Sequence, residues 1–145
     1  MQIIPMKKIV LTAAGLLALT TTTLVSADLA VIANASLKIP ALNQEQAQQL
    51  FLNKSTDYSQ QKIVVLSNES GTNALFYKQV VKMSASKFRS YWSTQVFTGK
   101  GSAPIYLNSD SEVLDFVAKN KGAIGFVDAD TVGKEVSTLL IIPSG

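Results

Sequence analysis

The chain has 145 residues, and it contains no cysteine and no histidine. This composition excludes disulfides, thiolate chemistry, imidazole bases and the commonest metal ligands, and the length favours one domain. The formal charge is +3, but Lys7 and Lys8 supply two of those charges, so the remainder carries 11 Lys/Arg against 10 Asp/Glu. With so balanced a charge and no basic patch, a nucleic-acid partner is not expected.

The first residues have the pattern of a cleavable export signal. A pair of lysines is followed by the apolar residues 9–19 and by the small residues Val25-Ser26-Ala27, which is the order that signal peptidase requires. We therefore predict a signal peptide over residues 1–27, cleavage after Ala27, and a periplasmic or secreted domain over residues 28–145. An uncleaved membrane anchor is the alternative, but the apolar stretch is shorter than the roughly 20 residues of a membrane-spanning helix.

Four short runs rich in apolar and β-branched residues predict strands. They span residues 29–33, 62–66, 123–127 and 138–142. Their continuous apolar character is typical of strands covered on both faces, as in a parallel sheet. Because helical patterns separate the strands, the sequence predicts an α/β fold, a single layered lobe with a mostly parallel sheet flanked by helices.

Capping residues and apolar residues at helical spacing predict four helices. Asn43 with Gln46, and Ser109 with Glu112, have the spacing of a capping box. A further helix is expected to begin near Thr72, and another at Ser84 or Ser86. The side chains expected on the buried helix faces are Ala47, Leu50, Phe51, Phe76, Val80, Met83, Phe88, Tyr91, Trp92, Val96, Val113, Leu114, Phe116 and Val117.

Ser70, Gly71 and Thr72 follow a predicted strand and open a predicted helix. The first N–H groups of a helix have no partner within it, and the positive end of the helix dipole lies there. A glycine lets an anion approach the backbone, and the flanking hydroxyls can donate further hydrogen bonds. The tripeptide therefore predicts a site for phosphate or another oxyanion. The alternative is an ordinary N-cap at Ser70 with a turn at Gly71.

Other polar segments carry weaker signals. Residues 98–102 do not match a phosphate-binding loop, since Lys100 precedes a glycine and the loop follows a helix. We interpret residues 97–104 as a loop at the mouth of a cleft, where Lys100 offers a positive charge to an anion. Asp128 and Asp130 lack a third metal ligand and are expected to cap a turn. No catalytic constellation is present, so no enzyme activity, metal or cofactor is predicted.

Two segments carry a resemblance to a known family. The first, residues 30–81, reads AVIANASLKIPALNQEQAQQLFLNKSTDYSQQKIVVLSNESGTNALFYKQVV, and the second, residues 121–130, reads KGAIGFVDAD. In this order they resemble the substrate-binding proteins of phosphate ABC transporters, a branch of the type 2 periplasmic binding proteins. The resemblance implies that Ser70, Gly71 and Thr72 hold the oxygens of phosphate from one lobe.

The chain also departs from the family pattern. The family usually places an arginine four positions before the serine and an aspartate two positions before it, where this chain has Leu66 and Asn68. Without the charge-assisted bond from that arginine and without the aspartate, we expect phosphate binding to be weaker or its selectivity to be changed. Asn68 retains an amide donor, so we count it among the candidate ligands. The family also has two lobes, whereas this chain covers one, which leaves the site open to water.

Two functions from different classes remain open on the sequence alone. In the first, the protein binds phosphate or a similar oxyanion weakly and serves a membrane transporter or sensor. In the second, the protein has kept the binding-protein fold as an interaction module and no longer binds a ligand.

Overall fold

The computed structural model describes residues 28–55, 58 and 61–144, so the predicted signal peptide lies outside the described residues. The strands are β1 (Leu29–Asn34), β2 (Val64–Asn68), β3 (Ile105–Leu107), β4 (Ala123–Asp128) and β5 (Val136–Ile142). The helices are α1 (Gln44–Phe51), α2 (Asn73–Leu75, continued by a π-helical segment, Phe76–Val81), α3 (Ala85–Phe97) and α4 (Asp110–Lys119), and a 3₁₀ turn spans Ala129–Thr131. No helix in these ranges is long and apolar enough to cross a membrane.

All five strands form one sheet, in the order β3-β2-β4-β1-β5. Strand β2 runs parallel to β3 and to β4, whereas β1 runs antiparallel to both β4 and β5. The α/β class and the flanking helices are confirmed, but the sheet is mixed rather than mostly parallel. The continuous apolar run of β1 arises because this strand lies inside the sheet and is buried along its whole length, whatever the direction of its neighbours.

The sheet separates two apolar layers. On one face, Leu29 and Val31 of β1 pack with side chains from α1, α2 and α3. On the other, Ala30 and Ile32 pack with side chains from α4. The first layer is rich in aromatic rings, and its central pair is Phe76 and Phe126, stacked with ring centroids 3.8 Å apart. This alternation along β1 is the period-two pattern of a strand that is covered on both faces.

The predicted helix starts are close to those observed. Asn43 and Gln46 make both hydrogen bonds of the capping box before α1, and Ser84 caps α3. Ser109 caps α4 by accepting a hydrogen bond from the N–H of Glu112. The Glu112 carboxylate, however, accepts from the N–H of Asn108 instead of completing the box with Ser109.

Several expectations about the middle of the chain are wrong. The helix after Thr72 widens into a π-helix and ends at Lys82, whose φ is 53°, so Met83 lies beyond it. Val96 is 44% exposed and does not belong to the core. Phe97 is the last residue of α3 rather than part of a loop. Strand β3 was not predicted, because it has only three residues, none of them fully buried, and carries little periodic signal.

Candidate functional site

The carboxyl ends of three parallel strands meet at one edge of the sheet. Ser70, Gly71 and Thr72 follow β2 at this edge, Asp110 opens α4 after β3, and Asp128 ends β4. A cavity of about 560 Å³ opens here. Its lining residues are Ser70, Gly71, Thr72, Ala74, Leu75, Lys78, Asp110 and Ser144. Ligands of open α/β sheets commonly bind at this kind of edge, so the cavity is the candidate site.

The Asp110 carboxylate binds most of the polar groups around it. Its Oδ1 atom accepts hydrogen bonds from Asn68 Nδ2 at 2.6 Å and from Ser70 Oγ at 3.1 Å. Thr72 Oγ1 lies 3.5 Å from the same oxygen. The Oδ2 atom accepts from the N–H of Asp128 at 3.2 Å. The carboxylate thus joins the ends of β2 and β4 to the first residue of α4.

The two candidate hydroxyls are engaged with this carboxylate. A serine or threonine hydroxyl carries one hydrogen, and Ser70 donates its hydrogen to Asp110. Ser70 Oγ and Thr72 Oγ1 lie 3.1 Å apart, so Thr72 donates either to Ser70 or to Asp110. Both hydrogens are therefore used inside the site, and an anion gains them only by displacing the carboxylate or by turning the hydroxyls away from it.

Asn68 is a buried support of the site and not a surface ligand. The residue is 0% exposed. Its Nδ2 donates to Asp110 and, at 3.0 Å, to the carbonyl of Phe126, while its Oδ1 accepts from the N–H of Ser70 at 3.0 Å. The side-chain amide has no hydrogen left for a ligand, contrary to the expectation from the sequence. Its role is to fix the position of Ser70 relative to Asp110.

The remaining donors at the cavity are backbone N–H groups and one ammonium group. The N–H groups of Ser70 and Asn73 bond within the turn. Those of Gly71 and Thr72 have no acceptor among the residues that the structure describes, and both residues line the cavity. Lys78 also lines it and forms no ion pair with a described residue. These groups can bind an anion without disturbing Asp110.

Comparison with solved structures reveals a shared fold. An ABC-type phosphate transport receptor from Vibrio cholerae matches at 23% identity and a TM-score of 0.58, over 78% of this chain and 46% of that one. A protein from Clostridium perfringens described as a phosphate ABC transporter substrate-binding protein, solved with bound phosphate, matches at 21% and 0.60, over 78% and 45%. PstS from Borrelia burgdorferi matches at 15% and 0.57, over 78% and 47%. No family model and no curated protein matches the chain.

The chain has the fold of about one lobe of a phosphate-transporter binding protein. It spans a little under half the length of each of these three proteins. At these levels of identity the likeness establishes the architecture alone. What this lobe binds has to be argued from its own residues.

Two basic residues, Lys100 and Arg89, do not line the cavity at Ser70. Lys100 lines a different cavity, together with Lys62, which lies just before β2, so Lys100 does not meet the oxyanion site as predicted. Arg89 does not replace the arginine that is absent from position 66, because its guanidinium bonds Glu69 at 2.6 Å and lies over the ring of Tyr106. The positive charge at the cavity comes from Lys78 instead.

The acidic pair after β4 behaves as a turn cap. Asp128 Oδ1 accepts from the N–H of Asp130 at 2.9 Å, and the Asp128 carbonyl accepts from Thr131 Oγ1. Across the described part of the lobe, no three His, Cys, Asp or Glu side chains are grouped so that they could hold a metal ion.

Sequence reasoning missed Asp110 and Lys78, and each left a partial signal. Ser109 was predicted to cap a helix, and that cap makes Asp110 the first helical residue, beside the ends of the parallel strands. Lys78 lies four residues after Ala74, so the two share a helix face. Neither signal shows that Asp110 or Lys78 lines the same cavity as Ser70, because this arrangement depends on the pairing of β2 with β3 and β4.

Proposed function

We propose that this lobe binds phosphate or a related small oxyanion, weakly, at Ser70, Gly71 and Thr72, and that it has no catalytic role. The observation that carries the proposal is the pair of backbone N–H groups at Gly71 and Thr72, which line the cavity without an acceptor in the described protein. Lys78 supplies a positive charge to the same cavity. The likeness to about one lobe of a protein that was solved with bound phosphate supports the choice of anion.

Asp110 limits which anions the site accepts. An ionised carboxylate repels an anion placed beside it, and Lys78 offsets only one such charge. A protonated oxyanion reduces this conflict, because its own hydroxyl can donate a hydrogen bond to Asp110. Hydrogen phosphate has such a hydroxyl and sulfate at neutral pH has none. The site therefore favours phosphate over sulfate, and we expect the affinity for phosphate to be modest.

The open cavity also favours weak binding. A single lobe leaves one side of a bound anion in water, where hydrogen bonds contribute little net affinity. A partner protein or a second lobe would close the site and strengthen binding. We propose that the physiological partner is such a protein, a membrane transporter or a sensor that receives the anion from this lobe.

A second function has a specific observation in its favour. Both hydroxyl hydrogens at Ser70 and Thr72 are already used within the cluster that these residues form with Asp110, and Asn68 is buried and without a free hydrogen. A site satisfied by its own carboxylate needs no external anion. The alternative is therefore an interaction module that has kept the binding-protein fold and uses this edge as a rigid structural element.

Calorimetric titration of the purified protein with phosphate, and separately with sulfate, distinguishes the two functions. Saturable phosphate heat that exceeds the sulfate heat, and that weakens in a Lys78→Gln variant, supports oxyanion binding, because Lys78 supplies the positive charge at the cavity. A Lys119→Gln variant is the matched control, since it makes the same charge change at an exposed residue of α4 that pairs with Asp115. No heat at millimolar phosphate in the parent protein would favour the interaction module.

Export is a separate proposal. We propose that residues 1–27 are removed as a signal peptide and that residues 28–145 act in the periplasm or outside the cell. Cell fractionation followed by N-terminal sequencing of the mature protein tests both parts. A mature chain that begins at Asp28 supports the proposal, and an intact N-terminus in a membrane fraction contradicts it.

A further inference from the structure

A second cavity, of about 340 Å³, lies at the opposite end of β2 from Ser70. Its walls come from the residues that lead into β2, from α1 and α3, and from the loop after α3. We call it the lysine pocket, and its defining residues are Leu50, Val65, Trp92, Lys62 and Lys100. Its volume lies within the range of small-molecule sites, roughly 300 to 1,000 Å³.

The floor of the lysine pocket is apolar. Leu50, Val65 and Trp92 belong to the buried core, and each is less than a tenth exposed, yet all three border the cavity. Ile105 also lines the cavity and is 37% exposed, so an apolar group of a ligand gains free energy by removing this surface from water. A bare inorganic anion leaves this floor uncovered and gains nothing from it.

The rim of the pocket is cationic. Lys62 and Lys100 are both exposed, and neither forms an ion pair with a residue in the described part of the chain. No acidic side chain is among the described residues that line the pocket. Asn53 Nδ2 donates to the carbonyl of Lys100 at 2.9 Å, which holds the loop that carries this lysine against α1. Two residues with cationic side chains therefore line one cavity, and that cavity attracts negative charge.

We propose that the lysine pocket binds a small organic anion of the alkyl carboxylate class. The carboxylate lies between Lys62 and Lys100, and the alkyl chain covers the floor formed by Leu50, Val65 and Trp92. This site is independent of the oxyanion site, because the two cavities lie at opposite ends of β2 and share no lining residue.

The pocket contains its own spectroscopic probe, because Trp92 is the only tryptophan of the chain. The experiment titrates the full chain with hexanoate at constant ionic strength and follows tryptophan fluorescence. Acetate is the control without the alkyl chain, and 1-hexanol is the control without the charge. We expect a saturable change with hexanoate, at an affinity well above that of either control. No change with hexanoate, or an equal response to 1-hexanol, overturns the proposal.

Paired substitutions test the role of the two lysines. A Lys62→Gln/Lys100→Gln variant should bind hexanoate about tenfold more weakly or worse, because it loses two charge-assisted contacts. Lys119→Gln/Lys134→Gln makes the same change in net charge away from the pocket and should bind as the parent does. Ser70→Ala/Thr72→Ala should also leave hexanoate binding unchanged, which separates this result from the fate of the oxyanion site. Equal weakening in the two lysine variants would contradict the proposal.

Discussion

Asn68 Nδ2 donates a hydrogen bond of 2.6 Å to Asp110 Oδ1, which joins the last residue of β2 to the first residue of α4. The same amide bonds the carbonyl of Phe126 in β4. The two bonds connect three elements that are distant in sequence but adjacent at the polar edge of the sheet. The geometry of the candidate site therefore depends on one buried side chain that does not itself line the cavity.

Asn68→Ala should destabilise the protein by about 2 to 3 kcal/mol, because it leaves the Phe126 carbonyl and the N–H of Ser70 without their buried partner. The free energy of unfolding, measured with urea, checks this. Asn120→Ala is the control, since the Asn120 amide is exposed and bonds only its own helix, and it should change stability by no more than about 0.5 kcal/mol. Similar losses in both variants would mean that the Asn68 network is not a stabilising feature.

Asp110→Asn should raise the affinity for sulfate about tenfold, because it removes a like charge from beside the anion. Phosphate should gain less, since the variant also weakens the acceptor for its hydroxyl, so the preference for phosphate over sulfate should fall. Calorimetry with both anions measures the ratio.

Asp115→Asn is the control for this prediction. It makes the same charge change on the same helix, at an exposed residue that pairs with Lys119 at 2.7 Å, and it should leave the ratio unchanged. If Asp115→Asn raises sulfate affinity as much as Asp110→Asn does, the effect is one of net charge and not of the site.

The parts of the fold that were predictable are those decided over short distances along the chain. Asn43 and Gln46 are three residues apart, so their capping box can be recognised from the local sequence alone. The buried strands β1 and β4 carry no polar side chain before their last residues, Asn34 and Asp128, and this is visible in the sequence of each strand alone. The direction of β1 was not predictable, because a strand buried on both faces has the same composition in a parallel and in an antiparallel sheet.

The site was less predictable, because it brings together residues that are distant in the sequence. Ser70, Gly71 and Thr72 were found because a strand, a glycine and two hydroxyls occur in sequence. The Asp110 carboxylate comes from 40 residues beyond Ser70, and only the pairing of β2 with β3 and β4 brings it there. The sequence also did not reveal that the Asn68 amide is already hydrogen-bonded, because its partners Asp110 and Phe126 are distant in the sequence.

Gly122→Ala should destabilise the protein much more than Gly99→Ala. Both glycines have a positive φ, 83° and 72°, which costs other residues on the order of 1 kcal/mol. A Cβ at Gly122 would also lie 2.1 Å from the carbonyl oxygen of Lys62, whereas one at Gly99 meets nothing within 4 Å. We expect a loss of about 1 kcal/mol for Gly99→Ala and about 3 kcal/mol or more for Gly122→Ala, measured by urea unfolding. Equal losses would contradict the close approach.

Gly71→Ala separates the two interpretations of the Ser-Gly-Thr turn. A Cβ there meets nothing within 4 Å and the backbone has no positive φ, so stability should hold or rise by up to about 1 kcal/mol. If an anion binds the N–H groups of Gly71 and Thr72, the added methyl group obstructs its approach, and phosphate affinity should fall several-fold. Thermal unfolding and calorimetry measure the two effects. Greater stability with unchanged phosphate binding would favour an ordinary cap.

Stability should decline as the pH rises above 10, through Tyr91 and Tyr106. Burial raises the pKa of both phenols above the usual 10.0, and Arg89 partly opposes the rise at Tyr106. Above that value the unfolded chain loses these protons first, so the folded state binds more protons and loses stability as the pH rises through the raised pKa values of the two phenols. Ionised Tyr91 also loses the hydrogen that it donates to the Leu52 carbonyl.

Urea unfolding on both sides of that pH, in the parent protein and in Tyr91→Phe/Tyr106→Phe, measures the contribution of the two phenols. The parent should lose more stability than the variant, because only the parent carries the two phenols whose pKa is raised by burial. A variant with only Arg89→Ala should show a higher pKa for Tyr106 by ultraviolet titration, since the neighbouring positive charge is removed. If parent and double variant lose stability in parallel, the two tyrosines are not the titrating groups.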